Sequence, residues 1–493
     1  MGTEPDHYAA LGINRDATPE EIRRAYHRKA RKLHPDVNEE TGATELFLDI
    51  QYAYEVLSDP AQRLEYDQTL PPPPRTAPLV EFSTIYSRPT LLRLGEPQLI
   101  YVLLDLAAPT NTRAGPSQPL NLCLVIDRST SMQGERMDMV KATAIELVRQ
   151  VRPEDTLSIV TFSDRAEALV SAGRNLSRST IEEKIRQILT SGGTEIYRGL
   201  EAGYLEVRSK ANRTSVNHII LITDGRTYGD EAQCLEIAEQ CTISGIGISS
   251  LGIGAGWNDL FLDGLTSRTG GSSVYVSRAQ DIQQFLWQKF SGLGQVYADR
   301  VNLELFFNPG VELSYAFRLS PDVATLQSFS PLPLGSVLLQ SPLTVLLELR
   351  VPPLVGEIHQ FNLAEGKITL DIPGASRTGQ GIPVKLSRPV SVSAAKLPTP
   401  TRLLQAMSRL NLYRMQERAY QVLAEGDRES ATRHLQNLAT RLFSNGNHEL
   451  ARAVMTEVDQ ILRGQTVSEE KKKQIKYGTR ALLMASNFPD MIS

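Results

Sequence analysis

From Asn121 onward, apolar runs at residues 122–126, 157–162, 219–222, 246–251 and 273–276 alternate with amphipathic helical stretches. Runs this continuous are apolar on both faces, so they need a mostly parallel sheet covered by helices on each side. Such sheets bind ligands at the carboxyl ends of their strands. There, after the first run, stands Asp127-Arg128-Ser129-Thr130-Ser131, so that Asp127, Ser129 and Ser131 can converge from one loop. Gly192-Gly193-Thr194 comes after a helix-flanked segment, and Thr223-Asp224-Gly225 follows the third run. Asp127, Ser129, Ser131, Thr194 and Asp224 thus present hard oxygen donors from three loops.

These residues make the stretch from Asn121 to about Leu293 resemble a von Willebrand factor type A (VWA) domain with its metal-ion-dependent adhesion site (MIDAS). The stretch from Gly252-Ile253-Gly254 to Thr269-Gly270-Gly271 is similar to the family's closing segment. The resemblance implies a doubly wound, Rossmann-like α/β fold. It also implies that Ser129, Ser131 and Thr194 supply hydroxyls, and Asp127 and Asp224 carboxylates, some through water. Mg²⁺ (or Mn²⁺) suits such a shell, since it takes oxygen ligands in an octahedron and keeps waters. One position would remain for an acidic residue of a protein ligand. The blander alternative, in which these hydroxyls only cap helices, leaves the fit of all the positions unexplained.

Other chemistries find less support. Gly252-x-Gly254-x-Gly256 follows a strand, but it lacks the third glycine of a dinucleotide loop at the required spacing and comes late in the sheet. The seven histidines include no pair at metal-binding spacing, and His434 and His448 read as surface residues of helical segments. There is no GxSxG elbow, no Walker A sequence and no histidine near Ser129 in sequence, so the chain reads as a binding protein and not an enzyme.

Near the N-terminus, Thr18-Pro19-Glu20-Glu21 forms a capping box with proline at the first helical position. It opens a helix over 19–33 whose Ile22, Tyr26, Ala30 and Leu33 fall at helical spacing. Arg23, Arg24, Arg28, Lys29, Arg31 and Lys32 cover its other faces, and Pro35 ends it. A second helix over 45–57, with Phe47, Ile50, Tyr54 and Leu57 on one stripe, would pack antiparallel and leave His34-Pro35-Asp36 exposed at the hairpin tip. A short further helix starts at Pro60 with Asp59 as its cap.

Residues 1–67, from Tyr8-x-x-Leu11-Gly12 through His34-Pro35-Asp36 to Leu57-Ser58-Asp59-Pro60, resemble the J-domain of DnaJ-type co-chaperones. The resemblance implies docking on a DnaK-type chaperone and stimulation of its ATPase, through His34, Pro35 and Asp36 with Arg23, Arg24, Arg28, Lys29 and Lys32. A cationic helix steers toward an acidic partner surface. Gln62-Arg63-Leu64-Glu65 departs from the basic pattern usual in the family's last helix. The Gly/Phe-rich stretch and zinc-binding cysteine repeats of the full-length DnaJ type are missing, so any client binding lies elsewhere.

Net charge is only −4, and the basic cluster belongs to that one helix, so no nucleic-acid partner is expected. Three cysteines, Cys123, Cys234 and Cys241, without a CxxC pair argue against a disulfide framework or thiolate zinc site and suit a reducing cytoplasm. The first residues lack a basic and an apolar region, so no signal peptide is expected. The longest uncharged stretch, 323–347, contains Pro331, Pro333 and Pro342, and no membrane insertion is expected.

The expected organisation is multidomain: an all-α J-domain at 1–69, a proline-rich linker at 70–79, the VWA domain at 119–295, and a flanking β-sandwich at 296–398 that a β segment at 80–118 joins. A helical bundle at 399–483 and a tail at 484–493 complete it. The helical positions of Gly426, Ala431, Leu435, Leu438 and Leu442 recur twenty residues later at Gly446, Ala451, Met455, Val458 and Leu462, which reads as successive helices with glycine starts, followed by a charged helix over 468–483. A helical cap on the sandwich is favoured over an interaction surface. These features describe a cytoplasmic co-chaperone-like adaptor that grips a protein ligand through its metal site and recruits a DnaK-type ATPase. The alternative is a VWA scaffold, serving an AAA+ ATPase complex, in which the J-domain is regulatory.

Overall fold

The computed structural model describes residues 7–13, 19–33, 43–69, 80–110, 118–227, 229–373, 378–393, 398–465 and 467–484. The chain divides into two compact units, residues 1–78 and 79–493. The first holds α1 (His7–Leu11), α2 (Pro19–Leu33), α3 (Ala43–Ser58) and α4 (Pro60–Thr69). Tyr8, Leu11, Ile22, Ile50, Ala53 and Leu57 form its core, and Tyr26 stacks on Tyr54 with ring centroids 4.3 Å apart. Asp59 accepts the Gln62 N–H at 3.1 Å, so it caps α4.

The second unit opens with β1 (Glu81–Tyr86), β2 (Leu91–Leu92) and β3 (Gln98–Ala107). An α/β region follows: β4 (Leu120–Asp127), α5 (Glu135–Gln150), β5 (Thr156–Phe162), β6 (Ala166–Gly173), α6 (Arg178–Arg186), α7 (Ile196–Lys210), β7 (Val216–Thr223), α8 (Glu231–Ser244), β8 (Ile246–Ile253), α9 (Asp259–Ser267), β9 (Ser273–Val276) and α10 (Ala279–Leu293). Its sheet runs β6-β5-β4-β7-β8-β9. Every neighbouring pair is parallel except β5 with β6. The edge strand β6 has no counterpart among the apolar runs, because only Val170 along it is buried. One side of the sheet packs Leu124, Ile126 and Ile220 against α5 and α10 residues such as Val140 and Leu286. The other packs Val125, Ile219 and Leu221 against Leu200 of α7 and Leu262 of α9.

The chain then returns through β10 (Val296–Phe307), β11 (Glu312–Ser320), β12 (Ala324–Thr325), β13 (Leu332–Leu338), β14 (Leu343–Val351), β15 (Gln360–Asp371) and β16 (Thr378–Ser391). With the opening strands they make two sheets, β1-β3-β14-β11-β12 and β13-β10-β15-β16-β2. Residues 81–107 therefore contribute to both sheets, and the α/β region is inserted between β3 and β10. The sheets share a core that includes Ile100, Val102, Leu104, Leu303, Val345 and Leu363.

The tail is α11 (Thr401–Ala424), α12 (Arg428–Ser444), α13 (His448–Leu462) and α14 (Glu469–Met484). The far face of the first sheet, with Leu103, Phe317 and Leu346, packs against Leu403, Leu410 and Tyr413 of α11. This explains why β14, Leu-Thr-Val-Leu-Leu-Glu-Leu-Arg-Val, is apolar on both faces although it is antiparallel. Two ion pairs pin α11 to the sheet, Arg402 with Asp105 and Arg414 with Glu348, each at 2.5 Å. The expectation of glycine starts is corrected: Gly426 and Gly446 have φ of 91° and 78° and close the preceding helices. Left-handed backbone at a helix C-terminus favours glycine, and Asp427 starts α12 by accepting the Ser430 N–H at 2.9 Å.

Inside the bundle Glu457 is fully buried. Tyr420 Oη donates to its Oε2 at 2.7 Å, while its Oε1 has no hydrogen-bond partner. Burial pushes its carboxyl up to about 7 from the ordinary 4.5. A raised folded-state value means that folding takes up a proton, so this contribution is full below about 4.5 and is lost as pH rises through 7. Glu457→Gln is therefore expected to flatten the pH dependence of stability, relative to wild type, by about 1–3 kcal/mol between pH 5 and pH 8. Thermal denaturation of both proteins at the two pH values checks this, and parallel Tm shifts would refute it.

Candidate functional site

Parallel pairing of β4 with β7, with Ile126 opposite Ile222, sets Asp127 beside Thr223 where both strands end. Asp127 is buried, and its carboxylate accepts the Ser129 N–H at 2.8 Å and the Thr223 hydroxyl at 2.6 Å. Ser129 Oγ lies 3.1 Å from Ser131 Oγ, which donates to Asp224 Oδ1 at 2.6 Å. Four of the residues singled out in the sequence are thus joined in one hydrogen-bonded chain. Thr194 reaches the same place: a Cβ on Gly225 would sit 2.7 Å from its hydroxyl oxygen.

Two loops hold Thr194 there. Thr130 N–H donates to Gly192 O at 3.1 Å and Ser191 N–H to Arg128 O at 2.8 Å, zipping the two loops together. The Asp164 carboxylate accepts the Gly193 N–H at 2.8 Å. Gly192 has φ of +80°, and a Cβ there would come within 2.4 Å of Asp164, so only glycine fits the close approach.

The charge of this pocket is not balanced. Burial pushes the Asp127 carboxyl up to about 6, against the hydrogen bonds that favour its ionised form, and the neighbouring Asp224 raises it further. Asp224 Oδ2 pairs with Arg136 Nη1 at 2.5 Å, a side chain 42% exposed. Two carboxylates against one arginine leave an excess negative charge under three hydroxyls, a donor set that suits a hard divalent cation. Among the described residues no three His, Cys, Asp or Glu side chains are grouped for metal binding. The donors here are two carboxylates and three hydroxyls, so the fit rests on hard oxygen and charge. Thr223 and Arg136 were not singled out in the sequence. Thr223 stood in the Thr223-Asp224-Gly225 motif, whereas no local signal placed Arg136 against Asp224.

The glycines of the rejected dinucleotide loop serve packing. A Cβ on Gly252 would meet the Trp257 ring at 2.1 Å and one on Gly256 the Asp224 carbonyl at 2.7 Å. Lys473 of α14 donates to Ala255 O at 2.7 Å and also to Trp257 O, so the tail holds the loop beside Asp224.

In the first unit, His34, Pro35 and Asp36 lie outside the described residues, as does the Lys32 side chain. Arg23, Arg24 and Arg28 are exposed on α2. Lys29 is half-buried and donates to Ala10 O at 2.7 Å, which ties α2 to α1. In α4, Arg63 donates to Tyr8 Oη at 2.9 Å and lies over the Tyr8 ring.

Three family models match parts of the chain. Residues 6–67 match the DnaJ domain, 121–288 the von Willebrand factor type A domain, and 401–485 the Sll0103-like, C-terminal alpha-helical domain. Uncharacterized protein sll0103 of Synechocystis is 26% identical over 382 residues, covering 75% of this chain and 90% of its own length. Chaperone protein DnaJ of Leifsonia xyli is 59% identical over 63 residues, 13% of this chain. The chain spans only 17% of that chaperone's length. Among solved structures, a von Willebrand factor type A protein from Catenulispora acidiphila has a TM-score of 0.64 at 15% identity, covering 82% of this chain and 98% of that one. The ArnB paralog VWA2 from Sulfolobus acidocaldarius has 0.52 at 18% identity, covering 83% and 100%. At these identities the structural likeness is one of fold.

Proposed function

We propose, for a chain that joins a DnaJ domain to a VWA domain, an adaptor that holds a protein ligand at the VWA site and recruits a DnaK-type ATPase to it. The observation that carries the ligand half is the linked set of Asp127, Ser129, Ser131 and Asp224, with Thr194 against Gly225, under excess negative charge. These residues would hold Mg²⁺ or Mn²⁺, and the bound cation would supply an electrophilic position for an acidic side chain of the ligand. Asp127 and Asp224 set the charge, the hydroxyls orient, and Thr223 fixes the Asp127 carboxylate.

For the chaperone half, support comes from the exposed Arg23, Arg24 and Arg28 of α2, the helix that the His34-Pro35-Asp36 segment follows in the sequence. A cytoplasmic setting agrees with Cys123, Cys234 and Cys241, all buried and free. Among the described residues no helix is long and apolar enough to cross a membrane.

Steering between exposed charges is screened beyond a Debye length of about 8 Å at physiological salt. Reversing Arg24 and Arg28 to glutamate is therefore expected to weaken docking on a DnaK-type chaperone about tenfold or more and to flatten its salt dependence. Surface-immobilised chaperone titrated at several salt concentrations reads both. Binding that ignores salt and reversal alike would remove electrostatics from the docking. Helicity should survive, since the Arg24–Glu20 pair is long at 3.5 Å and largely exposed.

A further inference from the structure

A cavity of about 580 Å³ opens within the second unit, where α10 and β9 meet the sandwich and α14. Its walls are mainly apolar, with Val274, Phe285, Leu293, Val323, Leu338 and Ala481. Gln284 and Gln288 line it from exposed positions of α10. A space this large with apolar walls and few polar groups, at a junction of structural layers, has the character of a small-molecule site.

The polar groups in the wall do not cancel. Lys289 and Arg318 both pair with the single carboxylate of Asp322. Arg318 is 2% exposed and its remaining donors reach backbone: Gly270 O at 2.5 Å, Leu334 O and Gly271 O at 2.8 Å, and Asp322 O at 3.0 Å. Lys289 donates to Asp322 and to Ser272 Oγ, the latter at 2.6 Å, so that among the described residues two partners meet its three ammonium protons. Neighbouring charges offer no compensation. Arg480 and Lys476 are balanced by Asp263 and Asp259, and Asp281 pairs with Arg278 at the surface. His218, also in the wall, is held neutral by burial and contacts Ser249 Oγ at 3.0 Å. With Arg318 buried and Lys289 only 15% exposed, this excess positive charge is largely withdrawn from water and costly unless an anion joins it.

We propose that this cavity binds a small amphipathic monoanion, an alkyl or aryl body in the apolar walls with one carboxylate on Lys289. Its apolar carbon would replace water along Val274, Leu293 and Leu338, and its carboxylate would complete the charge balance of Lys289, Arg318 and Asp322.

Dodecanoate titrated into the intact protein by calorimetry tests this, with dodecyltrimethylammonium as a probe of the same chain length and opposite charge. Saturable one-site binding of dodecanoate is expected, with the cationic probe at least about tenfold weaker. Lys289→Met should weaken dodecanoate about tenfold while leaving Asp322 paired with Arg318. Gly292→Phe is a second variant that does not touch the ion pairs. Gly292 lines the cavity near the end of α10, and an added Cβ would meet nothing nearer than Leu338 at 4.0 Å. Its ring should fill the space and abolish binding, with Tm unchanged. Absence of saturable dodecanoate binding, equal affinity for the two probes, or unchanged dodecanoate binding in either variant would overturn the proposal.

Discussion

Substituting His34 by glutamine in the intact protein is expected to reduce its stimulation of ATP hydrolysis by a DnaK-type chaperone to the unstimulated rate. The segment His34-Pro35-Asp36 follows the basic helix α2 directly. Residues 6–67 match the DnaJ domain, and the proposed function puts the stimulating contact at this tripeptide. Helical content should be unchanged, because the substitution leaves the core of Ile22, Ala25, Ile50, Ala53 and Leu57, with Leu33 packed against it, intact. Single-turnover hydrolysis with wild type and variant at equal concentration reads the effect. Stimulation equal to wild type would remove the J-domain from the proposed function.

Much of the fold was legible because its period was local. The apolar runs gave the parallel sheet, and the capping box and stripe of Ile22, Tyr26, Ala30 and Leu33 gave α2 with the observed bounds Pro19–Leu33. What escaped depends on partners far away in sequence. The strand β6 carries few buried residues, so pairing with β5, and not its own pattern, makes it a strand. Gly426 and Gly446 mark helix boundaries, but which helix each serves is set by positive φ and not by composition.

The candidate site shows the same division. Asp127, Ser129, Ser131, Thr194 and Asp224 stand in short motifs at strand ends, where sheet topology directs ligands, and the structure brings them together. Arg136 meets Asp224 only through the geometry of the turn into α5. The hold of α14 on the Ala255–Trp257 backbone spans more than two hundred residues. Lys29 carries the residue type of a docking helix and also donates to Ala10 O, a tie between α2 and α1 that the charge pattern does not show.

The second large effect concerns Asp127, whose removal takes a buried, charged oxygen from a site with only two carboxylates. Asp127→Ala is expected to lower Mn²⁺ affinity about 100-fold or more. The fold should persist, because the loops that carry the candidate ligands end strands of an apolar sheet with its own core. The most direct measurement is capture of the protein ligand from lysate of the source cells by the intact chain and by Asp127→Ala, each in Mg²⁺, in EDTA, and in EDTA followed by excess Mg²⁺. The expected result is a ligand retained by wild type in Mg²⁺, lost with EDTA and with Asp127→Ala alike, and restored by Mg²⁺ to wild type alone. Equal capture under all conditions by both proteins would contradict the metal-dependent adaptor.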